Sequence, residues 1–242
     1  IEKLNKEQKS AVLSTEGPNL IVAGAGSGKT RVLTTRLIHI INQKKAWSNQ
    51  ILCVTFTNKA AKEMQSRVMS YVNRSSNSVP WLGTFHSISV KFLRKHSEAL
   101  GLKSNFTILD TDDQKKLIRK IVKAEDLDAK KFSPQLIIHH IDKWKNKGLL
   151  PADIKNIKSN FSEKAILKVY EIYQKKIKDL NACDFGDLIL YCVKLFEQHN
   201  DIRKLYQSNF KYILVDEFQD TNFIQNKWLK LLVNDKENIC CV

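Results

Sequence analysis

The sequence predicts an α/β fold, a parallel sheet with helices on both faces interrupted by an all-helical insert. Three observations support this. Short apolar runs alternate with helical patterns toward both ends of the chain. The runs are almost continuously apolar, as in strands covered on both faces. Between about 110 and 182, apolar residues recur only at helical spacing.

In chain order, Asn19-Leu20-Ile21-Val22-Ala23 is the first strand, followed by a glycine-rich turn and a helix over about 30–43. The run Ile51–Phe56 is the second strand, with Thr57 and then Asn58 as the N-cap of a helix to about 72. Val79–Thr84 and Tyr212–Val215 are the third and fourth, and Asn238–Val242 reads as a further strand. The insert shows three apolar stripes, around Ile118 and Ile121, around Ile137, Ile141 and Trp144, and around Val169 and Tyr173. Pro134 marks a helix start, and Gly148 with Pro151 a helix end. The expected division is 1–108 with 183–242 as one domain and 109–182 as the insert.

The chain has 242 residues and is 43% hydrophobic, which excludes disorder and collagen-like repeats. No run reaches the ~18 apolar residues of a membrane helix, so no membrane partner is expected. Five cysteines, with no Cys-x-x-Cys spacing, point to reduced, buried thiols and a cytoplasmic location. The net charge is +15, and residues 91–182 alone hold 21 basic against 12 acidic side chains. Such a surface suits a polyanion, because each neutralised phosphate releases counterions. A start at Ile1 and an apolar strand at the last residues suggest a piece of a longer protein.

Ala23-Gly24-Ala25-Gly26-Ser27-Gly28-Lys29-Thr30 lies between a strand and a helix, the context of a P-loop. Glycines let successive N–H groups turn inward around an anion, and the helix adds its positive end. Lys29 can reach the β- and γ-phosphates, and the Thr30 hydroxyl can ligate Mg²⁺. Ala23 occupies a place that the general pattern gives to glycine. Asp216-Glu217 follows the apolar run Tyr212–Val215 directly. Asp216 there would hold Mg²⁺ through water, and Glu217 would polarise the attacking water, which favours hydrolysis over phosphoryl transfer. Asp184-Phe185-Gly186 has the look of a kinase metal motif without its companions. Asp184 and Asp187 read instead as the acidic start of a helix over 184–199.

Five segments in order resemble the UvrD/PcrA/Rep family of superfamily 1 DNA helicases. They are Leu4–Gln8, Ala23–Thr30, Val54–Ala61, Gly83-Thr84-Phe85-His86-Ser87 and Asp216–Asn222. The resemblance implies a RecA-like motor domain (1A) carrying its insert (1B), with ATP and Mg²⁺ as cofactors. It implies that Gln8 reads the adenine edge and Arg31 lies near the nucleotide, while Phe56, Thr57, Asn58 and His86 contact single-stranded DNA. Partners would be single-stranded DNA, single-strand/duplex junctions and a second motor domain of the same parent chain. The implied activity is ATP-driven 3′→5′ translocation and unwinding in DNA repair or replication. The second motor domain would supply arginines worth about 10³–10⁵ in rate in related enzymes, so this portion alone should bind nucleotide, hydrolyse it feebly and not unwind. A non-catalytic P-loop DNA-binding module and a RecB/AddA-like helicase-nuclease are the alternatives. Trp81 and Trp228 read as core, Trp144 as helix packing or the flank of a nucleic-acid groove, and His139-His140 as no metal site.

Overall fold

The computed structural model describes residues 4–24, 26–71, 79–154 and 161–242. Its strands are β1 (Asn19–Leu20), β2 (Ile51–Thr55), β3 (Leu82–Thr84), β4 (Thr107–Leu109), β5 (Ala182–Asp184), β6 (Tyr212–Val215) and β7 (Ile239–Cys241). The helices that matter below are α1 (Lys6–Leu13), α2 (Lys29–Asn42), α3 (Asn58–Tyr71), α4 (Phe85–Lys95), α5 (Thr111–Ala124), α6 (Pro134–Asn146), α7 (Pro151–Ile154), α8 (Phe161–Asp179), α9 (Phe185–Gln198), α10 (Asn200–Asn209) and α11 (Phe223–Leu232). The chain divides into two compact units.

The first unit comprises Ile1–Ile88, Phe196–Thr221 and Trp228–Val242. Its five strands run in the order β1-β7-β6-β2-β3, every neighbouring pair parallel. All residues of β2 and β6 are buried, which explains their uninterrupted apolar sequence. Leu33, Leu37 and Ile40 of α2 and Ala61, Met64 and Val68 of α3 pack into this core at helical spacing. The first strand is shorter than its apolar run, although the Ile21 N–H still donates to Cys241 at 2.9 Å. The third starts only at Leu82, because Val79 and Pro80 form a turn closed by the Leu82 N–H on the Val79 carbonyl. Trp81 meets Tyr206 and Phe210 edge-on at 5.7 and 5.5 Å, and Trp228 is fully buried.

The second unit comprises Ser89–Leu195 and Asn222–Lys227. Helices α5, α6 and α8 bury Ile118, Ile121, Ile137, Ile141, Val169 and Tyr173 against one another. Asp110 and Ser133 cap α5 and α6, with Pro134 at the first helical position. Trp144 stacks on Tyr170 with centroids 5.8 Å apart, so it packs helices. The helical insert carries one addition, a parallel ladder pairing Thr107–Leu109 with Ala182–Asp184. Strands of three residues are too short to leave a periodicity in sequence.

Asp184 and Asp187 cap α9 reciprocally, the Asp187 N–H on Asp184 Oδ1 at 2.9 Å and the Asp184 N–H on Asp187 Oδ2 at 3.1 Å. They also hold Lys145, whose ammonium lies 2.6 Å from Asp184 and 2.7 Å from Asp187 with all three side chains out of water. The Tyr173 hydroxyl donates to Asp184 at 2.9 Å and the Gln174 amide to Asp187 at 2.8 Å. The five cysteines are free and buried. Among the described residues no helix is long and apolar enough to cross a membrane, and no group of His, Cys, Asp and Glu could hold a metal ion by itself.

Candidate nucleotide and nucleic-acid site

Because the sheet of the first unit is all parallel, the C-terminal ends of its strands share one edge. The loops that leave β1, β2, β3 and β6 therefore emerge together, and they carry the residues singled out in the sequence.

Gly26 and Gly28 adopt φ of 75° and 85°, the left-handed conformation that turns consecutive N–H groups inward. Ala23 has no positive φ, so the alanine at that place needs no glycine freedom. Ala25 lies outside the described residues. A side chain at Gly24 or Gly26 would meet nothing within 4 Å, because the loop opens onto a cavity of about 940 Å³. That volume falls within the ~300–1,000 Å³ typical of small-molecule sites. Gly26, Ser27, Gly28, Lys29, Thr30 and Arg31 line one wall, and Glu217, Phe218 and Gln219 line another. Lys29 folds back on its own loop, its ammonium donating to the carbonyls of Ala23 at 2.9 Å and Gly24 at 3.4 Å. Those are replaceable partners for a cation that could serve a phosphate.

The Thr30 hydroxyl donates to Asp216, at 3.1 Å to Oδ2 and 3.3 Å to Oδ1. Asp216 is 1% exposed, and burial raises its pKa, with the neighbouring Glu217 charge adding to the effect and the Thr30 bond opposing it. Glu217 has φ 52°, a conformation costing on the order of 1–3 kcal/mol for a non-glycine residue and concentrated at functional sites. Its carboxylate accepts from the Gln219 amide, and the Phe218 N–H donates to the Val242 carbonyl at 2.8 Å, which fixes the turn. A hydroxyl and a carboxylate in contact beside an anion-binding loop form a donor set suited to Mg²⁺ on a triphosphate.

Gln8 joins this site from α1. Its side chain and Asn5 form a capping box, and its Nε2 donates to the Ser27 carbonyl at 3.0 Å. Arg31 is exposed and also lines a neighbouring cavity of about 960 Å³ with Leu4, Thr35 and Tyr71.

Phe56 and His86 leave adjacent strands, whose register sets Thr55 opposite Thr84. The half-buried Phe56 ring meets Phe85 edge-on at 5.7 Å, and Phe85 meets Trp228 at 5.5 Å. Burial holds His86 below its ordinary pKa, so its imidazole is neutral at pH 7. The cap of α3 is Thr57 rather than Asn58: the Thr57 hydroxyl accepts from the Ala60 N–H at 3.1 Å. Asn58 is the first helical residue and is exposed. Gly83 is required by contact, since a Cβ there would lie 2.5 Å from Ser87 Oγ, the atom that caps α4 at the Thr84 N–H.

Sequence reading missed Glu63 and Arg67, an ion-paired couple of α3 on the cavity wall. Their four-residue spacing was the available signal. It missed Gln219, whose bond to Glu217 depends on the turn between them.

Known proteins match the whole chain. It is 49% identical over its full length to a "Probable DNA helicase II homolog" of Rickettsia conorii, covering 37% of that protein. It is 48% identical to a "DNA helicase II" of Rickettsia typhi, with 99% of this chain and 36% of that protein covered. An "ATP-dependent DNA helicase PcrA" of Staphylococcus epidermidis is 43% identical over the full chain, which covers 33% of it. The chain thus spans about a third of the length of these relatives. The model of the UvrD/REP helicase N-terminal domain matches residues 4–242, and the chain belongs to that family.

Proposed function

We propose that this chain is the nucleotide-binding first motor domain, with its 1B insert, of an ATP-driven 3′→5′ DNA helicase-translocase of repair or replication. The domain reading assigns 1–108 and 183–242 to 1A and 109–182 to 1B. The observation that carries the proposal is the Thr30–Asp216 contact, which joins the two phosphate-site motifs that line facing parts of one cavity.

Magnesium, when bound, would supply positive charge against the charge that develops on the phosphates. Thr30 and Asp216 would hold that ion, Asp216 through water. Lys29 exchanges the Ala23 and Gly24 carbonyls for phosphate oxygens. The backbone N–H groups of Gly24 to Thr30 bind and orient the phosphates, and Glu217 accepts the proton of the attacking water. Gln8 reads the adenine edge with the donor and acceptor positions its amide has left, and Arg31 lies beside the nucleotide.

Single-stranded DNA and its junctions with duplex run along the same sheet edge. Phe56 offers a ring for stacking, worth ~1–3 kcal/mol per base without sequence preference, and Thr57, Asn58 and His86 offer polar contacts. A second motor domain of the parent chain supplies the remaining transition-state charge, so these residues alone bind nucleotide and turn it over feebly. The buried free thiols support a cytoplasmic location.

Glu217→Gln in the full-length helicase tests the assignment. ATP affinity should persist while hydrolysis stimulated by single-stranded DNA is lost. Retained stimulated hydrolysis would remove Glu217 from the role of base.

A further inference from the structure

Arg36 lies on α2, the helix that follows the phosphate loop, and is 1% exposed. Buried charges are normally paired. Among the described residues no carboxylate pairs with Arg36. Its Nη1 donates to the Ala11 carbonyl, its Nη2 to the Thr15 carbonyl at 3.2 Å, and its Nε has no partner. Glu16 favours the cation by charge but directs its oxygens to Lys45, Tyr212 and Asn238.

Arg36 takes the Ala11 carbonyl in the last turn of α1 and the Thr15 carbonyl two residues past the helix end. The last carbonyls of any helix lack internal donors and carry its negative dipole end. Here the Ser14 N–H serves Ser10, the Thr15 N–H serves Leu13, and Arg36 serves Ala11. A cation on one helix therefore closes the C-terminus of another. The need is plain from the length of α1, eight residues of which only Val12 is buried. A helix that short does not hold its place by itself in water. At its other end, Gln8 is bonded to Ser27 of the phosphate loop.

We propose that Arg36 is a positioning residue for base selection: it clamps α1 to the phosphate-loop helix and so holds Gln8 at a set offset from the phosphates. The proposal rests on the reading of Gln8 as the adenine-contacting amide. Preference for adenine then depends on a side chain too buried to touch the nucleotide. Phosphate grip does not depend on it, because Lys29, Thr30 and the loop amides are untouched.

The test compares dissociation constants of the chain for ATP, CTP and inorganic tripolyphosphate, each with Mg²⁺. In Arg36→Met the ratio of the CTP to the ATP constant should fall about fivefold, the scale of one misplaced neutral hydrogen bond, with tripolyphosphate affinity unchanged. Arg36→Lys keeps the charge but brings one donor head to two carbonyls, so it should show a smaller fall. If Arg36→Met does not fold, the lysine variant carries the test. An unchanged base preference beside a lowered melting temperature would make Arg36 a stabilising residue only and overturn the proposal. A parallel loss of ATP and tripolyphosphate would overturn it too, by placing its effect on the phosphate loop. Gln8→Ala separates the two readings. A preference that survives it removes Gln8 as the reader, and the clamp with it. A preference that is lost there but kept in both Arg36 variants removes only the clamp.

Discussion

Thr30 and Asp216 are 186 positions apart in sequence, and the threonine hydroxyl donates to both oxygens of the buried carboxylate. The contact spans the edge of the sheet, since β7 lies between the strand before the phosphate loop and the strand before Asp216. On the proposed reading Asp216 would also hold Mg²⁺, which sets function against stability at one buried carboxylate.

Asp216→Asn should separate the two. Burial raises the Asp216 pKa, so the ionised carboxylate weighs against folding and an amide should leave the melting temperature unchanged or higher. The same change removes the charge proposed to hold magnesium through water. The Mg²⁺ concentration needed for nucleotide binding should rise about 10–100-fold, as when outer partners of a metal are lost. Titration of Mg²⁺ against a fluorescent ATP analogue, with a thermal melt of the same sample, reads both effects.

Gly83→Ala should destabilise the first unit. The added Cβ would stand 2.5 Å from Ser87 Oγ and 3.3 Å from Ile88 Cδ1. Overpacking of this kind costs about 1–3 kcal/mol. Ser87→Ala removes the clash together with the cap at Thr84, so the double variant should lose less than the sum of the two single ones. Urea unfolding of the four proteins measures the difference.

Asp187→Asn should change the pH dependence of stability. Burial, with the charge of Asp184 adding to it, pushes the Asp187 carboxyl up to about 6, because two carboxylates share one ammonium. A raised acid pKa means that its favourable contribution is complete below the ordinary value of 3.8 and is lost as pH rises through about 6. Tyr170, Tyr173 and Tyr191 face the same cluster, and burial raises each above its ordinary pKa, so they stay neutral in that window. Burial also raises Asp142, whose ionisation adds a loss of the same sign. Wild type should therefore lose stability relative to Asp187→Asn between about pH 4 and 6, read as the difference in urea midpoint. A difference that does not vary with pH would contradict the shared-ammonium account.

Glu16→Gln should act at the acid end. The bond from Lys45, followed by that from Tyr212, brings Glu16 down to about 2. A depressed acid contributes stability above its ordinary 4.5 and loses it as pH falls toward 2. The advantage of wild type over Glu16→Gln should shrink between pH 5 and 3. The carboxylate is largely in solvent, so added salt should shrink it as well.

Much of the molecule was legible because its signals are local. The runs 51–56 and 212–215 announce strands buried on both faces, and the glycines, Lys29 and Thr30 announce an anion site by their order alone. Lys145 stands at the spacing Ile137, Ile141, Lys145 on the buried face of α6. Arg36 shares the stripe of Leu33, Leu37 and Ile40 in the same way. In both cases a cation on an apolar stripe was the signal, but its partners sit on other elements.

The sequence by itself determined the alternation of strands and helices, the phosphate loop, the acidic pair and the capping of α9, because each depends on residues within a few positions of one another. Only the tertiary structure decided that β7 enters between β1 and β6, that Lys145 answers two aspartates, and that Arg36 closes α1. Those outcomes depend on which distant carbonyls and carboxylates arrive beside a desolvated charge, and local spacing carries no record of that.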